Sequence, residues 1–426
     1  MKIAMRSLLA LSASGLGAFT FTPLAAQEPR SPEYVDATRV NVPLDPWLHA
    51  LDATFVDVDK DGDLDVVVAV EYGVNRLYLN DGHGTLTWKK GAFGNIVHDS
   101  EHVEAADLNG DGWMDLVFVA EDDGVHQLFL GGPGGTFTDA SDRLPSHSEG
   151  NALAIGDVDG DGLPDIVIGK TNEKGAGSAR DFLWLNDADN PGHFIDASVS
   201  HLPGNAQGTQ GIVLADMNGD GALDIVTAQQ DGPNRLLLND GTGHFTEATD
   251  RLEQDVPTET REVHVFDANG NGLPDILYFN LTSNNHGWDK DPQTRLLLND
   301  GKGHWRDATK GNLPEHRFSS WGGEIVDFNH DGAPDIVVSA IQVPGFVPLQ
   351  VRAWQNDGKG HFIDVTLAMM SSETTGRSWS MAKGDLDGDG KDDLFIGQWG
   401  TQARLLLTNR DTVKKAPFPK LGQPAS

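Results

Sequence analysis

One phrase occurs seven times in this chain: an aspartate-rich loop running straight into an apolar stretch. A long-period repeat of this kind decides architecture before any single residue does. It reads DVDKDGDLDVVVAV from Asp57, DLNGDGWMDLVFVA from Asp107, DVDGDGLPDIVIG from Asp157 and DMNGDGALDIVTA from Asp216. It continues as DANGNGLPDILYF from Asp267, DFNHDGAPDIVVS from Asp327 and DLDGDGKDDLFIG from Asp385, at spacings of 50, 50, 59, 51, 60 and 58 residues. Carboxylates this close together repel one another. Each copy therefore needs a counter-charge, or it melts the strand beside it.

Counting from the first aspartate of each copy, oxygen-bearing side chains fall at positions 1, 3, 5 and 9, and glycine at position 6. In copy one these are Asp57, Asp59, Asp61, Asp65 and Gly62. The oxygen sets of copies two to four are Asp107, Asn109, Asp111, Asp115; Asp157, Asp159, Asp161, Asp165; and Asp216, Asn218, Asp220, Asp224. Copies five to seven give Asp267, Asn269, Asn271, Asp275; Asp327, Asn329, Asp331, Asp335; and Asp385, Asp387, Asp389, Asp393. Alternate residues reach one point only if the loop curls around it, and the glycine permits that turn. Oxygen-only donors at this density suit calcium before magnesium, so the chain should take up to seven structural Ca²⁺ ions. The position-7 carbonyl (Asp63, Trp113, Leu163, Ala222, Leu273, Ala333 or Lys391) would add a further oxygen, which explains why any residue type is found there.

The EF-hand shares the first half of this pattern but needs a bidentate Glu at position 12 and flanking helices. Here position 12 is Val68, Phe118, Ile168, Thr227, Tyr278, Val338 or Ile396, and the flanks are β-rich. The competing account is a set of bare turns, which leaves the invariant aspartate at position 9 unexplained. Copies one, three and seven offer four carboxylates each and copy five only two, so the fifth site should bind calcium most weakly.

The first 26 residues combine Lys2 and Arg6 with an apolar, small-residue stretch and no acid, the pattern of a secretory signal cleaved after Ala26. Export to the periplasm or outside the cell follows, and no later stretch is apolar and long enough to span a bilayer. The chain has no cysteine, hence no disulfide, thiol nucleophile or lipoprotein anchor. Removing Lys2 and Arg6 takes the formal charge from −33 to −35. That balance argues against nucleic-acid phosphates and anionic membranes as partners. Seven divalent ions would return fourteen of those charges.

After each ninth-position aspartate comes a run such as VVVAV or LVFVA, suited to a strand covered on both faces. A second phrase follows, as in NRLYLNDGHGTL from Asn75 or TRLLLNDGKGHWRDAT from Thr294, where Asn-Asp-Gly turns a hairpin. With a strand before each loop, as in HVEAAD or EVHVFD, every unit has four strands. Seven such units describe an all-β, seven-bladed β-propeller over residues 27–410, followed by a tail at 411–426. The last unit lacks its fourth strand, and Tyr34–Pro43 matches the fourth-strand phrase Phe137–Pro145. The N-terminal strand should therefore complete the last blade and remove two open edges.

The DxDxDGxxD loops joined to strands resemble the FG-GAP/VCBS repeats of integrin α-subunit propellers and of many bacterial exported proteins. The resemblance covers almost all of residues 34–410 and rests on the aspartate loop and the NDG hairpin, since the FG and GAP dipeptides do not stand in every unit. It implies calcium on one face of a seven-bladed propeller and a ligand on the other.

The loops opposite the aspartate face carry five of the ten tryptophans: Trp47, Trp288, Trp321, Trp379 and Trp399. Exposed indoles suit sugar rings; the alternative is packing between blades near the channel. Trp184, Trp305 and Trp354 fall at structural positions. His49, His98 and His102 stand outside the repeat, near Glu71, Glu101 and Glu121, as a candidate transition-metal site or general base, or as solvated or packed side chains. Two function classes remain. One is a module binding a glycan, or an extracellular or periplasmic protein. The other is a polysaccharide lyase, for which His49, Tyr72, His98, His102, Arg261 and Arg377 are the available acids, bases and cations. Fold does not choose between them.

Overall fold

A computed structural model describes residues 33–145, 148–171, 180–204, 208–282, 290–343 and 345–409. The expected leader 1–26, the tail 411–426 and Trp288 lie outside the described residues. Each repeat forms one four-stranded antiparallel sheet, and there are seven. Blade 1 consists of Ala50–Val56, Asp65–Val70, Arg76–Asn80 and Leu86–Trp88, each strand paired with the next. Blades 2 to 6 open with Ser100–Ala106, Ala152–Gly156, Thr209–Ala215, Glu259–Phe266 and Gly323–Val326 and follow the same order. Blade 6 inserts a small hairpin, Ile341–Gln342 with Val347–Pro348, between its second and third strands.

Blade 7 takes three strands from the end of the chain, Ser378–Gly384, Asp393–Gln398 and Arg404–Leu407, and its fourth from Val35–Asp36. Val35 lies opposite Leu407 and Asp36 opposite Leu406. The Ala37 N–H donates to the Leu405 carbonyl at 2.9 Å, and Arg404 Nη1 reaches Asp36 Oδ2 at 3.1 Å. Tyr34 is buried and donates its hydroxyl to the Asp392 carbonyl. The closure expected from the Tyr34–Pro43 phrase is present.

The second strand of each blade alternates its side chains between two neighbours, as the two-residue strand period requires. Val66 and Val68 pack toward blade 7, while Val67 and Ala69 pack toward blade 2. In blade 2, Leu116 and Phe118 face back to blade 1, and Val117 and Val119 face blade 3. Each fully buried Val, Leu or Phe contributes about 1.5–3 kcal/mol. Seven apolar clusters result, one between each pair of adjacent blades. A closed ring of seven blades has seven such interfaces and an open arc only six. Trp184, Trp305 and Trp354 lie in these interfaces, fully buried.

Candidate functional site

The aspartate loops and NDG hairpins share one end of the ring. In all seven loops the first aspartate accepts the N–H of the position-6 glycine at 2.7–3.1 Å. The position-5 side chain accepts the N–H of position 7 at 2.8–3.0 Å. Position 6 has φ between 78° and 97°, where only glycine is unstrained. Position 4 is left-handed as well, held by glycine in five copies but by Lys60 and His330 in the other two.

The ninth-position aspartate has a task that the sequence did not reveal. Its Oδ1 accepts the backbone N–H at the end of the third strand, at 2.7–2.9 Å in every blade. In six blades its Oδ2 accepts the N–H of loop position 2 at 2.9–3.2 Å; Asp335 Oδ2 is buried without a partner. This carboxylate clamps loop to hairpin, so its recurrence has a structural cause besides any metal. Burial pushes Asp65, Asp165, Asp335 and Asp393 up to about 7, against the pull of those N–H groups. The hairpin asparagine adds a clamp between blades. Asn239 Nδ2, for example, donates to the carbonyls of Val158 in blade 3 and Leu223 in its own loop, at 2.7 and 3.0 Å.

The donor set fits a metal best in the copies richest in carboxylate. Oxygens of Asp57, Asp59 and Asp61 lie within 4.8 Å of one another, as do those of Asp157, Asp159 and Asp165, and of Asp385, Asp387 and Asp393. These are copies one, three and seven. Asp59 Oδ1 is buried with no hydrogen-bond partner, and burial together with Asp61 raises its carboxyl's proton affinity.

At the opposite end the first strands converge on a cavity of about 470 Å³. Its lining includes the residue six places before every loop: Leu51, Glu101, Asn151, Gln210, Arg261, Trp321 and Trp379. In five of the seven blades a bulge accompanies the inward-facing side chain; no register slip is seen in the first strands of blades 3 and 6. Register slips between Ala50 and Asp52, Ser100 and His102, Thr209 and Gly211, Thr260 and Glu262, and Ser378 and Met381. A bulge re-aims the unpaired side chain. Sequence reasoning singled out Arg261, Trp321 and Trp379 but missed the ring they belong to. The signal was available as a fixed offset from each loop.

The ring changes character around its circumference. Trp321 and Trp379 pack with centroids 3.9 Å apart and planes tilted by 30°, and the Arg261 guanidinium lies 5.5 Å from the Trp321 ring. Arg261 also donates to Gln210 Oε1 at 2.5 Å and to Glu259 Oε1 at 2.9 Å. Asn151 Nδ2 donates to Glu101 Oε2 and Glu121 Oε2 at 3.4 and 3.3 Å.

Carboxylates dominate the remaining lining, with Asp52, Glu71, Asp99, Glu104, Asp122 and Glu262 facing Arg261, His102 and His264. Burial and then Glu121, Asp99 and Glu71 hold the Glu101 carboxyl well above its usual range. Burial pushes Asp99 up to about 6 and Glu104 to about 7. Two of the acids are struts between first strands: Asp52 Oδ2 accepts the Val103 N–H at 3.0 Å, and Glu104 Oε2 the Ile155 N–H at 2.9 Å.

The other candidates scatter. Trp399 stacks on Trp379 at 6.0 Å and on His49 at 5.0 Å, while Trp47 is 82% exposed and not part of the cavity lining. Trp321 is packed against Leu281, Ile341 and Val343, as the packing alternative expected, and it also borders the cavity. The three histidines do not converge. His49 Nδ1 meets Glu71 at 3.2 Å, His98 Nδ1 meets Asp123 at 2.9 Å, and His102 Nε2 meets Asp52 at 3.3 Å. Tyr72 borders the cavity with its hydroxyl on Asp122. Arg377 is spent on the Phe346 carbonyl at 3.1 Å and lies 5.6 Å from the Trp399 ring.

Comparison with known proteins agrees with this geometry. Cartilage acidic protein 1 of Xenopus tropicalis is 27% identical over 204 residues, which is 46% of this chain and 29% of that protein. The human protein of the same name is 27% identical over 203 residues and the mouse one 25% over 205, with the same coverage. The match thus spans less than a third of those relatives' length. The family model described as FG-GAP-like repeat matches residues 57–118, 107–168, 216–278, 282–338 and 347–396, each segment bringing an aspartate loop or the strands that follow one. With these matches covering more than half of its residues, the chain belongs to the FG-GAP-like repeat family.

Proposed function

We propose that this chain is an exported, calcium-stabilised binding module that takes a glycan in the cavity opposite its aspartate loops. The carrying observation is the ring of seven inward-facing residues six places before each loop. It sets two indoles, packed against each other with planes tilted by 30°, beside amide, guanidinium and carboxylate groups. A sugar needs that pairing: a flat apolar surface for its C–H face and fixed polar groups for its hydroxyls. A cavity of about 470 Å³ is of the size that small ligands fill. Export rests on the leader-like residues 1–26, and the name of the matched relatives, cartilage acidic protein, supports an extracellular setting. Calcium rests on the oxygen donors of the seven loops.

Charge weighs against the polysaccharide-lyase alternative. A polyuronate brings its own carboxylates into a space already lined by acids, and Arg261 is committed to Gln210 and Glu259. Neutral or amino sugars fit better. A panel of such glycans, screened with calcium-loaded protein, tests the reading. Trp379→Ala should weaken binding by about thirtyfold or more, near 2 kcal/mol, and Gln210→Ala should also weaken it. Wild-type affinity in both variants would overturn the cavity as the site. An ultraviolet rise from unsaturated product on polyuronates, lost in His102→Ala, would establish the lyase instead.

A further inference from the structure

A second acidic group stands at the junction of blades 1 and 2, on the cavity side of the ring rather than in an aspartate loop. One carboxylate oxygen from each of Glu71, Asp99 and Glu101 lies within 4.8 Å of the other two. Glu71 follows the second strand of blade 1, while Asp99 and Glu101 flank the start of the first strand of blade 2. Their hydrogen bonds engage one oxygen of each. Glu71 Oε2 meets His49 Nδ1 at 3.2 Å and the Trp399 indole N–H, Asp99 Oδ2 accepts the Asp122 N–H at 2.8 Å, and Glu101 Oε2 accepts from Asn151 at 3.4 Å. The other oxygen of Asp99, Oδ1, is buried without a partner, in a residue only 4% exposed that borders the cavity. A buried acceptor that has lost its water and gained nothing needs a reason.

We infer that Glu71, Asp99 and Glu101 form a further cation site at the cavity, separate from the seven aspartate loops, for a divalent ion of the calcium type. Three carboxylates with oxygen-only donors suit Ca²⁺ or Mn²⁺ and offer nothing to a soft metal. The crowding of like charge that burial enforces here is the same problem the loops present, and one ion would relieve it. The ion would sit beside Trp399 and Asn151, at the edge of the proposed ligand space. The inference does not rest on the glycan reading.

Crystals of the full chain soaked in Mn²⁺ test it by anomalous scattering, alongside calorimetric titration of Ca²⁺ into stripped protein. The expected result is an anomalous peak among the three carboxylates in addition to any in the loops. Asp99→Asn and Glu101→Gln should each abolish that peak and weaken one calcium equivalent at least tenfold. The loop peaks and the calcium-loaded melting temperature should stay within a few degrees of wild type. If one variant fails to fold, the other and the wild-type map still decide. Manganese confined to the loops of the wild type, or an unchanged calcium stoichiometry in a folded variant, would overturn the site and leave protons as what neutralises these acids.

Discussion

At the loop end of the ring, position 9 is aspartate in all seven blades, and every copy holds the same third-strand N–H. At the cavity end, the residue six places earlier runs Leu51, Glu101, Asn151, Gln210, Arg261, Trp321, Trp379. The backbone repeats in all seven loops, while at the cavity end five first strands carry a bulge, two do not, and blade 6 inserts a hairpin; what each position must satisfy differs between the ends. A loop aspartate answers to its own blade's amide groups, and those demands are the same seven times. A cavity residue faces a space shared by all seven blades, where no such repeated demand acts on it. Uniformity marks the end that holds the fold together, and variety at the other end is what the proposed ligand site requires.

Removing the chain's first described strand should break this comparison most violently. Deleting residues 30–45 takes away Tyr34 and the Val35–Asp36 pairing with blade 7, leaving Arg404–Leu407 as an open edge. A loss of about 15 °C or more in melting temperature, or insolubility, is expected by scanning calorimetry. Wild-type melting would mean the ring does not depend on its closure.

Single substitutions at the two ends should differ next. Asp165→Ala strands the N–H groups of Val158 and Asn186 in the interior, at about 1–3 kcal/mol each. Denaturant titration in chelator, which removes any metal contribution, should therefore show a loss of about 3–5 kcal/mol. Asp335→Ala should cost less, because only its Oδ1 is engaged. Asn151→Ala at the cavity end should stay within about 1 kcal/mol. Equal losses at Asp165 and Asn151 would erase the distinction drawn between the two ends.

The smallest effect concerns pH. Burial raises the Glu104 carboxyl from 4.5 to about 7. The folded chain therefore holds that proton to higher pH than the unfolded chain does. Its contribution to stability should be complete below pH 4.5 and be lost as pH rises through 7 and the buried group ionises. Glu104→Gln, which can still accept the Ile155 N–H, should flatten that slope by about 1–2 kcal/mol in pH-dependent denaturation. An unaltered slope would show that Glu104 titrates as an exposed acid.

Blade count, strand order and ring closure were legible in the sequence because each is written in short, local phrases: the loop, the apolar run, the NDG turn. The clamp made by the ninth-position aspartate was not, since its Oδ1 partners lie 15 to 24 residues away and are backbone groups with no residue preference to read. The cavity ring escaped for a different reason. Simple alternation along LDATFV or EHVEAA puts every second residue on one face, whereas the bulges at Leu51, Glu101, Gln210 and Arg261 are set by pairing with the neighbouring strand. Between the two readings of the histidines the sequence could not choose. His49, His98 and His102 fall together in the repeat frame, but each turns to a different carboxylate once the side chains are placed.

Melting of the same preparation with saturating calcium and after chelation probes the loops where it matters, at the stability of the whole circle. Occupied loops predict a rise of about 10 °C or more with calcium, at about 2.7 kcal/mol for each site filled to a hundred times its Kd. Superimposable curves would contradict that account and leave the aspartate loops as turns held by their own amides.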